Sequence, residues 1–248
     1  PSPFSQVSAI SANGRYVAFD SDATDLVPGE SSEPRTLVFV RDRALGTTSI
    51  VSESIGDVEA NNDSFAPRIS ATGRYIVYES FATNLAPGGG PDENEYVRDT
   101  QLHTTSVIDV DPRSRPPGPS ATRQLLEQPA ISDDASVAAF VTNAPHLTGH
   151  SNAVTQVLLR ELSPPTTTVL RAAPADAAPR PLVAFGADDR AASTFLCQID
   201  AGIPFICPRG PFRLPAQAPG HHVLLVRAGG PGMLYDPMGV REHFTVSA

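Results

Sequence analysis

The sequence contains no lysine, and all 18 of its basic residues are arginines. Acidic residues number 27, so the formal net charge is −9. A protein that binds duplex nucleic acid needs a basic face against the phosphates, and this charge balance disfavours that class of partner. No apolar run approaches the ~20 residues of a transmembrane helix, so we expect no helical membrane span. The lack of lysine beside abundant Ala, Pro, Gly and Arg indicates a GC-rich bacterial genome.

Motifs that carry catalysis or bind metal are also missing. The sequence has no Gly-x-Ser-x-Gly nucleophile elbow, no His-Glu-x-x-His zinc helix and no phosphate-binding glycine-rich loop. We therefore predict no enzymatic activity, no cofactor and no metal site. The acidic run over residues 92–95 is interpreted as solvated charge at a sheet edge rather than a cation site.

Proline and charge indicate the class of fold and its division. The chain has 25 prolines in 248 residues, about twice the usual ~5%, and their spread leaves little room for long helices. Residues 1–172 hold 21 acids and 12 arginines, whereas residues 173–248 hold six of each. This shift predicts a first domain over residues 1–171, a Pro/Ala-rich linker over 172–181 and a second domain over 182–248.

The first segment contains three copies of one pattern. The copies start at Ile10, Ile69 and Ile131, with periods of 59 and 62 residues, and each has an aromatic residue nine positions later. The recurring signature residues are Arg15, Tyr16, Phe19, Arg41 and Asp42 in the first copy, Arg74, Tyr75, Tyr78, Arg98 and Asp99 in the second, and Phe140 and Arg160 in the third. Because the Arg-Asp pairs recur with the repeat, we interpret them as structural rather than catalytic.

Each copy holds four short apolar runs separated by turns, which in the first copy cover residues 7–10, 16–19, 37–40 and 48–51. The runs alternate and are rich in β-branched and aromatic residues, as half-buried strands are. Four antiparallel strands at this period predict a propeller blade, with a linear solenoid as the alternative. The third copy, where Asp134-Ala-Ser replaces Gly-Arg-Tyr, is predicted to cap the array.

The pattern Ile-Ser-x-x-Gly-Arg-Tyr-Val-Ala-Phe-x-Ser, followed by Ala-Thr-Asn/Asp-Leu-x-Pro-Gly and Val-Arg-Asp, resembles the PD40/TolB-type repeats of bacterial β-propellers over about residues 7–171. The resemblance implies a scaffold that presents loops, commonly in secreted or periplasmic proteins. Three blades are fewer than the ~4–8 that close a propeller. The chain is then a fragment of a longer protein, one contributor to a ring of several subunits, or an array with covered edges.

The second segment carries both cysteines, Cys197 and Cys207. Its run Phe-x-Cys-x-x-Asp-x-Gly-x-Pro-Phe-x-Cys, with Gly220-His-His-Val-Leu-Leu-Val-Arg-Ala after it, resembles bacterial Ig-like domains over about residues 180–248. That resemblance implies a β-sandwich. We predict a hairpin disulfide between the two cysteines, and with it an extracytoplasmic location, with two buried free thiols or a redox pair as alternatives.

The sequence thus predicts an all-β chain of three four-stranded blades and an Ig-like sandwich. Its predicted role is a secreted or cell-surface, non-enzymatic binding or assembly module. One alternative is an extracellular structural subunit that forms filaments or a lattice through open blade edges, and another is a fragment of a larger propeller enzyme. Open edges also predict self-association or a protein partner, near residues 1–10 or around residues 131–170.

Overall fold

A computed structural model describes residues 5–110, 128–142, 144, 147, 155–174, 176–189, 192, 194–230 and 233–247. Over these residues the regular elements are nineteen β-strands, so the predicted all-β class is confirmed. The chain divides into two compact units, Pro1–Leu162 and Ser163–Ala248. No helix in the described part of the chain is long and apolar enough to cross a membrane.

The first unit consists of three antiparallel sheets that follow one another along the chain. The first sheet has the order β1 (Ser5–Ile10), β2 (Tyr16–Ser21), β3 (Leu37–Asp42), β4 (Thr47–Ile50). The second has the order β5 (Ser64–Ile69), β6 (Tyr75–Ser80), β7 (Asn94–Asp99), β8 (Thr104–Val107). The third contains β9 (Ala130–Ile131), β10 (Val137–Thr142) and β11 (Gln156–Glu161), in the order β11-β10-β9.

The same type of turn, built around a serine, connects the first two strands in each of the three sheets. In each sheet a serine hydroxyl accepts a hydrogen bond from the backbone N–H five residues later, which fixes the hairpin between the first two strands. The three pairs are Ser11 with Tyr16 at 3.0 Å, Ser70 with Tyr75 at 3.1 Å and Ser132 with Val137 at 3.0 Å. The third repeat keeps this serine, and so it keeps the turn although Gly-Arg-Tyr is lost.

Consecutive sheets are joined by the same backbone contact. The N–H of Ala12 in the first turn donates to the carbonyl of Ala71 in the second at 3.0 Å, and the N–H of Ala71 donates to the carbonyl of Asp133 in the third at 3.1 Å. The step from the first sheet to the second is therefore repeated from the second to the third.

The core of the first unit lies between the first and second sheets. Its largest members are aromatic, and two pairs of rings stack across neighbouring strands: Phe19 with Phe39 at 5.6 Å and Tyr78 with Tyr96 at 5.8 Å between centroids. Because fully buried apolar side chains each stabilise the fold by about 1.5–3 kcal/mol, these two sheets hold each other in place.

The second unit has two sheets around one apolar core. One has the order β12 (Thr167–Arg171), β14 (Leu182–Ala187), β17 (Phe212–Arg213). The other has the order β13 (Asp176–Ala177), β19 (Val240–Val246), β18 (Gly220–Gly229), β15 (Thr194–Ile199), β16 (Phe205–Cys207). The predicted disulfide joins Cys197 on β15 to Cys207 on β16 and is buried in this core.

The division of the chain differs from the predicted one. Strand β12, expected as the fourth strand of the third repeat, pairs with β14 in the second unit. The expected linker over residues 172–181 contains β13, which pairs in parallel with β19. The hairpins before β4 and β8 end at Gly46 and His103, with φ of 68° and 53°. The corresponding third-repeat residue is Pro165, whose ring fixes φ near −65°, so this hairpin cannot form and the chain leaves the sheet.

Candidate functional site

A cleft of about 470 Å³ opens in the first unit. Its walls come from the first sheet, from the loop that follows that sheet, and from the two turns at one end of the second sheet. Val27, Val40 and Ile50 form an apolar wall. The remaining lining is mostly polar and includes hydroxyl, carboxylate, guanidinium and imidazole groups, in Thr47, Ser49, Thr72, Thr100, Asp42, Glu53, Asp57, Arg74, Arg98 and His103.

One end of the cleft is formed by a close contact between Tyr16 and Gly73. A Cβ atom on Gly73 would lie 2.2 Å from Cδ2 of Tyr16, and the residue has φ of +81°. Only glycine fits both the space and the backbone conformation. The Tyr16 ring also lies under the Arg15 guanidinium, 4.9 Å from the ring centroid. The aromatic wall of the cleft is therefore fixed in position from two sides.

Arg98 is the most strongly bound group in the cleft, and only 2% of its side chain is exposed. Its Nη1 donates to the carbonyls of Glu53 and Ser54 and to Oγ1 of Thr105. Its Nη2 lies 3.2 Å from Oε2 of Glu53 and 3.0 Å from Oδ1 of Asp57. One buried cation is thus faced by two carboxyl groups, and this point carries excess negative charge when both are ionised.

The two carboxylates differ in exposure. Asp57 has 56% of its side chain exposed, and its Oδ1 is 3.2 Å from Nδ1 of His103. The pKa of Glu53 is raised to about 7. Burial is the largest cause and the charge of Asp57 adds to it, whereas Arg98 lowers the pKa by less than burial raises it. The Glu53 carboxyl therefore changes its charge near neutral pH, whereas Asp57 lies at the mouth of the cleft within reach of a ligand.

Two matched ion pairs border the cleft. Arg15 binds Asp42, and Arg74 binds Asp99, each through two parallel contacts of 3.0 and 2.7 Å from Nε and Nη2. Arg15 holds the pKa of Asp42 down at about 2. Each aspartate thus pairs with the arginine at the start of the second strand, and not with the arginine beside it in sequence.

The other repeat arginines lie elsewhere. Arg41 is exposed and donates to Oγ1 of Thr48 at 3.0 Å. Arg160 donates from Nε to the carbonyl of Ile108 at 2.9 Å and from Nη2 to the carbonyl of Val110, at the end of the second sheet. Ser136 takes the place of Arg15 and Arg74 in the third repeat, and none of the residues described in the third sheet lines the cleft. The aromatic signature residues Tyr78 and Phe140 are buried in the core, whereas Tyr75 is partly buried under the Arg74 guanidinium.

The sequence predicted that the acidic run over residues 92–95 is solvated, but the structure buries part of it. Glu95 is 7% exposed on β7, and Asp109, which follows β8, is 4% exposed. Glu95 Oε2 and Asp109 Oδ1 have no hydrogen-bond partner. Burial raises the pKa of Asp109 to about 8 and raises that of Glu95 well above its ordinary value, with Glu79 and Asp109 adding repulsion. Among the described residues, no group of three or more His, Cys, Asp and Glu side chains could hold a metal ion.

Sequence reasoning missed the charged centre of the cleft. Glu53 and Asp57 lie in the loop between the first two repeats, and His103 lies in a turn, at positions where the repeat pattern shows nothing in common. Asp57 has φ of +57° and follows Gly56 at +91°, and this Gly-Asp turn lies between Glu53 and Glu59, which form an isolated β-bridge. The Gly-Asp pair was the available signal in the sequence.

A scan against protein-family models and a search of curated proteins found no match. Among solved structures, the chain is similar to the crystal structure of TolB from Acinetobacter baumannii, with 11% sequence identity and a TM-score of 0.35. The match covers 96% of this chain and 56% of that one. The chain therefore spans a little over half the length of that TolB chain.

Proposed function

We propose that the chain is a secreted or cell-surface, non-enzymatic binding module whose ligand site is the cleft of the first unit. In this proposal the first unit is made of propeller-type blades and the second is an Ig-like sandwich. The repeated antiparallel order of the first two sheets, with the same serine turn in all three, supports the blades. The Cys197–Cys207 disulfide supports an oxidising, extracytoplasmic location.

The ligand that this cleft suits is one with a positively charged group. The observation that carries this is the single buried guanidinium of Arg98 between two carboxylates. The other charged groups of the lining are already neutralised, because Asp42 is held by Arg15 and Arg74 by Asp99. Asp57 shares the Arg98 guanidinium with Glu53 and has 56% of its side chain exposed, so it is the accessible carboxylate that a ligand can bind. A charge-assisted hydrogen bond there is worth about 1.5 kcal/mol, the lower end of the range for charged groups, because the side chain is more than half exposed.

The shape of the cleft narrows the choice to a basic side chain of a protein partner. Val27, Val40 and Ile50 offer an apolar surface on which the methylene stem of an arginine or lysine can pack, while its charge meets Asp57. The net charge of −9 adds an attraction for basic partners that weakens as the ionic strength rises. A partner that presents an arginine on an exposed loop is thus the simplest occupant.

Calorimetric titration with N-acetylarginine amide tests the proposal, with N-acetylglutamine amide as the neutral probe of similar size. We expect weak binding of the arginine probe alone, and Asp57→Asn should weaken it by about 10-fold, which corresponds to about 1.4 kcal/mol. Asp133→Asn, an exposed acid outside the cleft, should leave the affinity unchanged. Equal affinity for both probes, or no effect of Asp57→Asn, would contradict the assignment.

A second candidate function rests on Glu53. A carboxyl with a pKa of about 7 in a cleft is in the range that general acid–base catalysis uses. This would agree with the chain being part of a larger enzyme. A hydrolase screen of the wild type against Glu53→Gln separates the two functions: turnover that Glu53→Gln abolishes would favour the enzyme, and binding without turnover favours the module.

A further inference from the structure

Strand β11 forms an open edge of the third sheet. It pairs with β10 on one side, and within the described residues no strand lies on its other side. In the first and second sheets the equivalent strands, β3 and β7, are covered by β4 and β8. The segment that should cover β11 is β12, which belongs to the second unit. Among the described strands, one row of backbone donors and acceptors along β11 therefore has no strand partner.

The side chains of β11 also expose apolar surface. Burial alternates along the strand, with Val157 and Leu159 on the exposed face at 68% and 73% and with Gln156, Leu158 and Arg160 half-buried on the other. Two large apolar residues on one face of an edge strand favour strand addition, because pairing satisfies the backbone and removes both side chains from water.

We propose that β11 pairs antiparallel with β11 of a second copy of this chain, around a two-fold axis at Leu158. Val157 then lies opposite the partner's Leu159, and Leu158 lies opposite the partner's Leu158. Gln156 lies opposite the partner's Arg160. The two third sheets join into one sheet of six strands. This assembly goes beyond the binding function of the cleft, and neither depends on the other.

The sequence of β11 selects this register. Residues directly opposite each other in an antiparallel pair share a face, so the axis must pass through a residue and not between two. An axis at Leu159 would set Glu161 against the partner's Val157, and Arg160 against the partner's Leu158. An axis at Val157 would leave Arg160 and Glu161 outside the paired segment. The axis at Leu158 alone matches apolar with apolar residues and opposes no like charges.

The dimer is expected to be weak. Two strands of six residues bury much less than the roughly 1,000 Å² of a stable interface. Each copy carries a net charge of −9, although at physiological ionic strength that repulsion is screened beyond about 8 Å. Association should therefore appear at high micromolar protein concentration and should strengthen with added salt.

A cysteine at the proposed axis tests the register. Across the axis the two Cβ atoms of residue 158 would be about 4.5–5.5 Å apart, close to the range that a disulfide bridges. We expect Leu158→Cys to form a covalent dimer under mild oxidation, since both native cysteines are already paired. Ile203→Cys, which replaces a residue 79% exposed in the second unit, is the control and should form at least 10-fold less covalent dimer. Equal cross-linking of the two variants would overturn the proposal.

A surface variant tests the same interface without a change at the half-buried position. Sedimentation equilibrium of the wild type at high micromolar concentration should show a monomer–dimer equilibrium, and Leu159→Glu should weaken it by more than 10-fold, because each dimer would bury two added charges. A wild type that stays monomeric, or a Leu159→Glu variant that dimerises equally well, would refute the proposal. Neither result bears on the cleft, whose ligand binding is tested separately with Asp57→Asn.

Discussion

Replacement of Asp109 by asparagine should remove much of the pH dependence of the stability of the first unit. The carboxyl of Asp109 is buried, and its Oδ1 lacks a partner. The acids Glu95 and Glu93 lie near it, and Arg160 is its nearby cation. Burial raises its pKa from 3.8 to about 8. Between these values the native protein retains a proton that the unfolded chain has released.

The stability that this retained proton contributes should therefore be fully present below about pH 4. It should be lost progressively as the pH rises towards 8. One such group changes the free energy of unfolding by about 1.4 kcal/mol per pH unit, or on the order of 4 kcal/mol between pH 5 and pH 8. Glu53, with a pKa of about 7, and Glu95, whose pKa burial raises well above its ordinary value, are in the same unit and act with the same sign. Asp109→Asn should therefore reduce the slope without abolishing it.

Urea unfolding at pH 5, 6, 7 and 8 measures this. The protein has five tyrosines, and Tyr16, Tyr75, Tyr78 and Tyr96 lie in the first unit, so tyrosine fluorescence mainly reports the unit that contains Asp109. Asp109→Asn should match the wild type at pH 5 and exceed it at pH 8, while Asp133→Asn should follow the wild type throughout. A wild type that is equally stable at pH 5 and pH 8, or an Asp109→Asn variant that keeps the full slope, would refute the reasoning.

Two further predictions concern the turn at the cleft and the disulfide. Gly73→Ala should lower the free energy of unfolding by more than Gly29→Ala does: both positions have positive φ, which costs about 1–2 kcal/mol for alanine, but only Gly73 meets the Tyr16 ring. Equal losses in urea unfolding would show that the contact contributes nothing. Reduction of the Cys197–Cys207 disulfide should raise the intact mass by two hydrogens and lower the stability of the second unit by about 2–3 kcal/mol. Two alkylatable thiols in the unreduced protein would contradict the bridge.

The local parts of this structure were predictable from sequence because they depend on residues a few positions apart. The strands of the first two sheets follow the apolar runs, and the serine turn recurs wherever Ile-Ser recurs. The disulfide follows from two cysteines at the ends of one hairpin. In these cases period, turn residues and spacing carry the information.

Features that depend on a single backbone angle or on distant contacts were not predictable in the same way. The repeat pattern assigned residues 167–171 to the third sheet, and one proline at position 165 decides otherwise because it cannot adopt the positive φ of the equivalent turns. Glu95 belongs to a charged run, yet its side chain is buried close to Glu79 and Asp109. In the cleft Arg98 contacts Glu53 and Asp57, which lie more than 40 residues before it in the chain. No local sequence pattern predicts a contact over that separation.

Proton release on ligand binding tests most directly whether a basic group binds beside Glu53 and Asp57. A cation in the cleft stabilises the Glu53 carboxylate and lowers its pKa from about 7, so at pH 7 binding should release a fraction of a proton. Calorimetric titration with N-acetylarginine amide in two buffers of different ionisation enthalpy measures that fraction. We expect proton release in the wild type and none in Glu53→Gln. Binding without proton release, or with proton uptake, would contradict it.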